Sequence, residues 1–122
     1  MSSPEAFKVR WERTGRVHRL IPTGELDIAT TPILERAFEA VHQGDAAMIV
    51  VDLTQLSFMD STGIRALMEM TEACAAADRL RIVNGSPAVV KVLDITGVRP
   101  HLPIISSDDD PFAPPPVGGG RR

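Results

Sequence analysis

The spacing of hydrophobic and polar residues changes along the chain from a two-residue period to a helical period. Apolar and charged residues alternate over residues 7–12, as in a half-buried strand, and Thr14-Gly15 then offers a turn. A second strand over about residues 16–21 completes the predicted hairpin. Because Pro22 cannot donate a ladder hydrogen bond, we expect this strand to end there or to lie near a sheet edge.

The next segment has the spacing of an amphipathic helix. Thr31 and Pro32 are typical of an N-cap followed by the first helical residue. The apolar positions that fall on one helical face are Leu34, Ala37, Phe38 and Val41. Gly44 is placed to end this helix.

A second strand and helix follow. Residues 47–53 form a short uninterrupted apolar run, which is typical of a strand covered on both faces, although a buried helical segment can have the same composition. The next helix is predicted to start near Ser61. Its apolar stripe comprises Ile64, Leu67, Met68, Thr71 and Cys74 or Ala75.

The same alternation continues to about residue 105. Residues 80–83 indicate another strand, Ser86-Pro87 indicates a third helix start, and Gly97 is placed to stop that helix. A last strand is predicted over 102–105. The predicted order is ββαβαβαβ, an α/β fold with helices packed on a mixed β-sheet of about five strands.

Length and composition favour one domain with a tail. A chain of 122 residues is long enough for one core and too short for two ordinary domains. After Ser107 the sequence becomes DDDPFAPPPVGGGRR, rich in acid, proline and glycine. We therefore predict a folded domain over residues 1–107 and a disordered tail over residues 108–122.

Charge and hydropathy exclude several classes of function. The formal net charge of -3 argues against a nucleic-acid partner. No apolar run approaches the roughly 20 residues that span a bilayer, and the first residues lack the apolar core of a signal peptide. The single cysteine, Cys74, agrees with a reducing compartment, so we expect a cytoplasmic protein without a membrane partner.

The chain shows no pattern of catalytic, metal-binding or nucleotide-binding residues. A nucleophile elbow would need glycine two residues before Ser61, where Met59 stands. The three histidines, His18, His42 and His101, belong to no motif with this serine. The cysteine and histidines do not have the spacing of metal ligands, and the sequence contains no glycine-rich phosphate-binding loop. We therefore expect no enzyme activity, no catalytic residue, no metal and no cofactor.

Ser61 itself has two roles that the residue types alone leave open. A serine between an apolar strand and an amphipathic helix most often caps the helix. Asp60 competes for that position, and if Asp60 is the cap, Ser61 enters the first turn with an outward hydroxyl that is free to react.

Three segments together resemble the STAS-domain family of bacterial anti-sigma factor antagonists. They are GELDIAT at 24–30, VVDLTQLSFMDSTGI at 50–64 and NGSPAVVKVLDITGV at 84–98, and the resemblance spans roughly residues 6–106. Members of this family usually finish with an amphipathic helix, which the acidic and proline-rich end of this chain does not continue.

The resemblance implies a function and a site. In the family, the serine that matches Ser61 is phosphorylated by an anti-sigma factor that is a serine kinase. The unphosphorylated antagonist binds this kinase and frees the sigma factor, and a phosphatase reverses the modification. The candidate partner-binding residues around Ser61 are Asp27, Thr30, Asp60, Thr62, Gly63 and Arg65.

Some of these residues have equally simple structural interpretations. Asp27 is as well suited to cap the turn after the second strand as to contact a partner, whereas an exposed arginine in the first turn of a helix, such as Arg65, is usually just solvated. Gly63 is expected where a partner approaches the helix closely. The alternative function is a STAS module that senses a small ligand or forms the soluble subunit of a transporter or signalling assembly, because a fold does not fix a function.

Overall fold

A mixed β-sheet of six strands carries three α-helices in the computed structural model, which describes residues 6–113. The strands are β1 (Lys8–Thr14), β2 (Val17–Leu26), β3 (Met48–Asp52), β4 (Leu56–Met59), β5 (Leu80–Val83) and β6 (Ile104–Ile105). The helices are α1 (Thr31–His42), α2 (Ser61–Cys74) and α3 (Pro87–Thr96). This confirms the predicted α/β class and the order of the predicted elements.

The strands lie in the order β1-β2-β3-β5-β6, and β4 pairs with the second half of β2. Only the β1–β2 hairpin is antiparallel. The sequence did not predict β4, because its four residues are buried, exposed, exposed and buried and so show no alternation. The observed order is therefore ββαββαβαβ.

Pro22 lies inside β2, so the expectation that the strand ends there is wrong. The alternative, that the strand lies near a sheet edge, holds because β2 is next to the edge strand β1. On one side of β2, Pro22 pairs with Val9 of β1. On the other side, β3 pairs with residues 17–20 and β4 with residues 24–26. Pro22 falls in the gap between these two partners, where no strand needs its missing N–H.

Two helical details also differ from the predictions. The N-cap of α1 is Thr30 rather than Thr31, which is the first helical residue. In α2 the buried face differs from the predicted apolar stripe, because Met68 was predicted to be buried and is 41% exposed. The buried residues of α2 are Gly63, Ile64, Ala66, Leu67, Met70 and Cys74.

The two faces of the sheet are covered differently. Ile49 and Val51 of β3 belong to the main hydrophobic core, together with apolar residues from all three helices. Val50 points to the opposite face because strand side chains alternate, yet it is also fully buried. Strand β3 is therefore covered on both faces, as its uninterrupted apolar run predicted.

A buried ion cluster lies on this opposite face, and we call Arg19, Asp52 and Asp110 the Arg19 cluster. Arg19 Nε donates to Asp52 Oδ2 at 3.1 Å, and its Nη2 pairs with Asp110. Nη1 donates to the carbonyl of Phe112 at 3.2 Å. Burial by itself would lower the pKa of Arg19, but the hydrogen bonds and charges of the two carboxylates raise it above its ordinary value.

The Arg19 cluster corrects the predicted start of the tail. Residues 107–109 form a 3-10 turn, and the side chain of Asp110 is only 1% exposed. Ordered contacts with the sheet thus extend at least to Phe112, because a buried cation draws the acidic segment onto it. Residues 114–122, the rest of the predicted tail, lie outside the described residues.

Candidate functional site

The candidate site lies where two neighbouring parallel strands end. Leu26 of β2 pairs with Met59 of β4, and the N–H of Asp60 donates to the carbonyl of Leu26 at 3.2 Å. The turn that follows β2 and the first turn of α2 therefore leave the sheet side by side. This arrangement joins the GELDIAT segment, which ends at residue 30, and the DSTG segment, which begins at residue 60.

Asp60 caps helix α2. Its Oδ1 accepts hydrogen bonds from the backbone N–H groups of Thr62 at 2.9 Å and Gly63 at 3.4 Å. Two of the four N–H groups that a helix start leaves without intrahelical partners are thereby satisfied. The choice between Asp60 and Ser61 as the cap is settled in favour of Asp60.

Ser61 is the first residue of α2 and is exposed. Its hydroxyl makes no side-chain hydrogen bond to any of residues 6–113, so it is not required by the local fold. Thr62, the other hydroxyl of the motif, is partly buried. The geometry thus distinguishes two adjacent hydroxyls by their access to solvent.

Gly63 and Arg65 differ sharply in accessibility. Gly63 is buried, and a Cβ placed on it would lie 2.7 Å from Met59 Cγ and 2.9 Å from Leu26 Cδ2. The glycine therefore lets α2 approach the ends of β2 and β4, rather than leaving space for a partner. Arg65 is exposed and forms no ion pair within residues 6–113.

Asp27 and Thr30 hold the neighbouring turn together. Asp27 Oδ1 accepts from the N–H groups of Ala29 at 3.0 Å and Thr30 at 3.2 Å. Thr30 Oγ1 accepts from the N–H of Asp27 at 2.9 Å and donates to the carbonyl of Glu25 at 2.6 Å. Thr30 is fully buried, so its observed role is to position the turn and not to touch a partner directly.

Two exposed apolar residues border the site, and sequence reasoning missed both. Ile28 stands in the Asp27–Thr30 turn and is 77% exposed. Phe58 of β4 is 45% exposed and pairs with Glu25. A large apolar residue in a short turn between two polar residues, Asp27 and Thr30, was the available sequence signal for Ile28.

The site combines carboxylates with an exposed serine hydroxyl. Asp60 places a carboxylate at the positive end of the α2 dipole, and Asp27 places one in the turn that leads into α1. No histidine in residues 6–113 hydrogen-bonds to Ser61, and no metal-ligating group of three or more His, Cys, Asp or Glu occurs in this part of the chain. None of the described helices is long and apolar enough to cross a membrane.

Sequence comparison identifies a matching family and named relatives. Residues 8–110 match the STAS domain family. The anti-sigma F factor antagonist of Lysinibacillus sphaericus is 38% identical over 81 residues, which cover 65% of this chain and 69% of that protein.

Solved structures with the same fold include two anti-sigma factor antagonists. One, from Mycobacterium paratuberculosis, has a TM-score of 0.76 at 27% identity and covers 85% of this chain and 89% of its own. The other is SpoIIAA. Its unphosphorylated form gives a TM-score of 0.69 at 25% identity, with 82% and 88% coverage. Its phosphorylated form, from Bacillus, gives 0.62 at 26% identity, with 84% and 91% coverage.

Proposed function

The chain belongs to the STAS-domain family, and on that basis we propose that it is an anti-sigma factor antagonist. In this proposal, the protein binds an anti-sigma factor serine kinase while Ser61 is unmodified, and so frees a sigma factor. Phosphorylation of Ser61 by that kinase ends the binding, and a phosphatase restores it. The protein acts in the cytoplasm as a binding regulator and not as an enzyme.

The observation that carries this proposal is the free hydroxyl of Ser61. A kinase needs a hydroxyl that is exposed and not already used by the fold. Ser61 meets both conditions because Asp60 supplies the helix cap in its place. The names of the relatives and the structure of SpoIIAA in a phosphorylated form support the same role.

Electrostatics explains how one phosphate can act as a switch. A phosphate would add about -1.5 to -2 charge next to Asp60. The fold should tolerate this charge, because the first turn of α2 contributes a partial positive charge. A partner packed against the same surface would meet both the new charge and its bulk, so the affinity should fall without a large change of shape.

The apolar residues beside the site give the partner a surface to pack on. Ile28 exposes most of its side chain within the turn that adjoins Ser61, and Phe58 exposes about half. Buried apolar anchors commonly carry much of the energy of a protein interface. In this proposal, the exposed Arg65 and the carboxylate of Asp27 contribute to the polar rim, while the buried Thr30 and Gly63 position the site.

The decisive experiment combines phosphorylation with binding. The protein is incubated with purified candidate anti-sigma factor kinases and Mg-ATP, and phosphopeptides are mapped by mass spectrometry. We expect one phosphate on Ser61 and loss of the complex in parallel. In the presence of ATP, Ser61→Ala should stay bound to the kinase as unmodified wild type does. Ser61→Asp should bind more weakly than unmodified wild type, but more tightly than the phosphorylated protein.

Thr62→Ala is the matched control, because it removes the neighbouring hydroxyl and leaves Ser61 in place. This variant should still be phosphorylated at Ser61 and released. Phosphate found on Thr62 alone would contradict the assignment of the site. Equal affinities for wild type, Ser61→Ala and Ser61→Asp, with unchanged folding, would contradict the switch.

A further inference from the structure

Strand β1 has one free edge. It is the first strand in the order β1-β2-β3-β5-β6, and no strand of residues 6–113 pairs with its outer side. The strand is seven residues long, Lys8–Thr14, and alternate residues direct their backbone hydrogen-bonding groups to this edge. An unpaired strand of this length is a template for another strand, unless its side chains prevent pairing.

The position of Pro22 shows which residues of β1 direct their backbone N–H and C=O groups to the free edge. Proline has no N–H, and Pro22 lies directly opposite Val9. Val9 and Pro22 must then form a non-hydrogen-bonded pair of the antiparallel ladder, in which the N–H and C=O of Val9 point away from β2. Because the pattern alternates, the backbone groups of Trp11 and Arg13 also point to the free edge.

The sequence of β1 is complementary to itself about Trp11. If two copies of KVRWERT run antiparallel with Trp11 opposite Trp11, then Arg10 lies opposite Glu12 on both sides of the axis. Val9 lies opposite Arg13, and Lys8 opposite Thr14, so no two like charges face each other. Opposite charges directly across a ladder stabilise pairing, whereas like charges oppose it.

We propose that a second copy of this chain pairs with β1 along this edge, antiparallel and centred on Trp11. The arrangement is a twofold interface in which the same surface serves both copies. Trp11–Trp11 and Val9–Arg13 form the hydrogen-bonded pairs. Arg10 and Glu12 form the non-hydrogen-bonded pair, where side chains stand closest.

The side chain of Trp11 is held in one orientation at this edge. It is 58% exposed, yet it stacks on His18 with ring centroids 5.6 Å apart and donates from Nε1 to His18 Nδ1 at 3.1 Å. Its orientation is therefore fixed before association, which reduces the entropy cost of binding. It borders an apolar cavity of about 270 Å³, lined also by Val9 and Leu20, which the second Trp11 can help to cover.

The dimer interface leaves the candidate site open. β4 leads into Ser61 and pairs with β2 on the side opposite to β1. One short strand and one aromatic side chain per copy make a small interface, so we expect a weak dimer with Kd on the order of tens of micromolar.

Sedimentation equilibrium of the full chain from about 10 to about 500 µM tests the association. The mean mass should rise from that of the 13.2 kDa monomer toward twice that value. Trp11 is the only tryptophan and the chain has no tyrosine, so its emission should shift to shorter wavelength as the dimer forms. A monomer at every concentration, or a dimer with unchanged emission, would overturn the proposal.

Charge exchange tests the register. Glu12→Arg places arginine opposite Arg10 twice and should raise the dimer Kd at least about tenfold. The double variant Arg10→Glu/Glu12→Arg restores opposite charges and should return to within about threefold of wild type. Glu72→Arg, at an exposed position of α2, makes the same charge change elsewhere and should have no comparable effect. Equal dimerisation of the Glu12→Arg and Glu72→Arg variants would overturn this register.

Discussion

The Ser61 site and the Arg19 cluster both depend on aspartates, but they use them in opposite ways. At the Ser61 site, Asp60 and Asp27 bond to backbone groups two or three residues away, at a surface open to solvent. In the Arg19 cluster, Asp52 and Asp110 pair with a cation that lies 33 and 91 residues away, and all three side chains are largely buried.

This difference suits the Ser61 site to regulation and the Arg19 cluster to stabilising the fold. Local bonds at the Ser61 site hold two turns in shape while one hydroxyl remains outside the network. At the Arg19 cluster, every partner is needed, because an unpaired charge in a buried position is costly. A change at the first region should therefore alter binding with little effect on folding, and a change at the second should do the reverse.

Arg19→Met should have the largest effect on stability. It removes the cation and leaves Asp52 and Asp110 as neighbouring buried carboxylates, so we expect a loss of about 3 to 5 kcal/mol in the free energy of unfolding. Urea denaturation followed by circular dichroism measures this loss. Arg81→Met is the matched control, because its partner Asp78 is 80% exposed, and it should cost less than about 1 kcal/mol. Similar losses for both variants would remove the distinction between the two kinds of ion pair.

Removal of residues 108–122 should have an intermediate effect. The truncation deletes Asp110 and the Phe112 carbonyl but leaves Arg19 paired with Asp52. We expect a loss of about 1 to 3 kcal/mol, as for a buried charged group that loses some but not all of its hydrogen-bonding partners. The point variant Asp110→Asn in the full chain should show part of the same loss. Unchanged melting temperatures for both proteins would show that this segment contributes nothing to the domain.

Asp60→Ala and Ser61→Ala should show the smallest effects and the sharpest contrast. Loss of the Asp60 cap should cost about 1 kcal/mol, since it leaves the N–H groups of Thr62 and Gly63 unpaired. Ser61→Ala should change the free energy of unfolding by less than about 0.5 kcal/mol, because it removes no hydrogen bond. Thermal denaturation of the two variants side by side makes this comparison. A larger loss of stability for Ser61→Ala than for Asp60→Ala would show that Ser61 is the cap.

Most elements of the fold were predictable because their signals are local. Proline and serine or threonine at helix starts, with glycines after two of the helix ends, located the three helices. Alternation with a Thr-Gly turn located the hairpin strands, and short apolar runs located three more of the six strands. β4 was not predicted because four residues without alternation carry no periodic signal, and its pairing with β2 decides its conformation. The interior positions of Thr30 and Gly63 likewise depend on packing between segments distant in sequence.

The sequence by itself determined the α/β class, the position of Ser61 at a helix start and the competition with Asp60 for its cap. These features depend on hydrogen bonds and periodicities that span only a few residues. Only the tertiary structure decided that Asp110 belongs to the domain, that Arg19 is buried and that Ile28 stands exposed beside Ser61. Each of these depends on which distant segments meet, and a long-range ion pair leaves no periodic pattern along the chain.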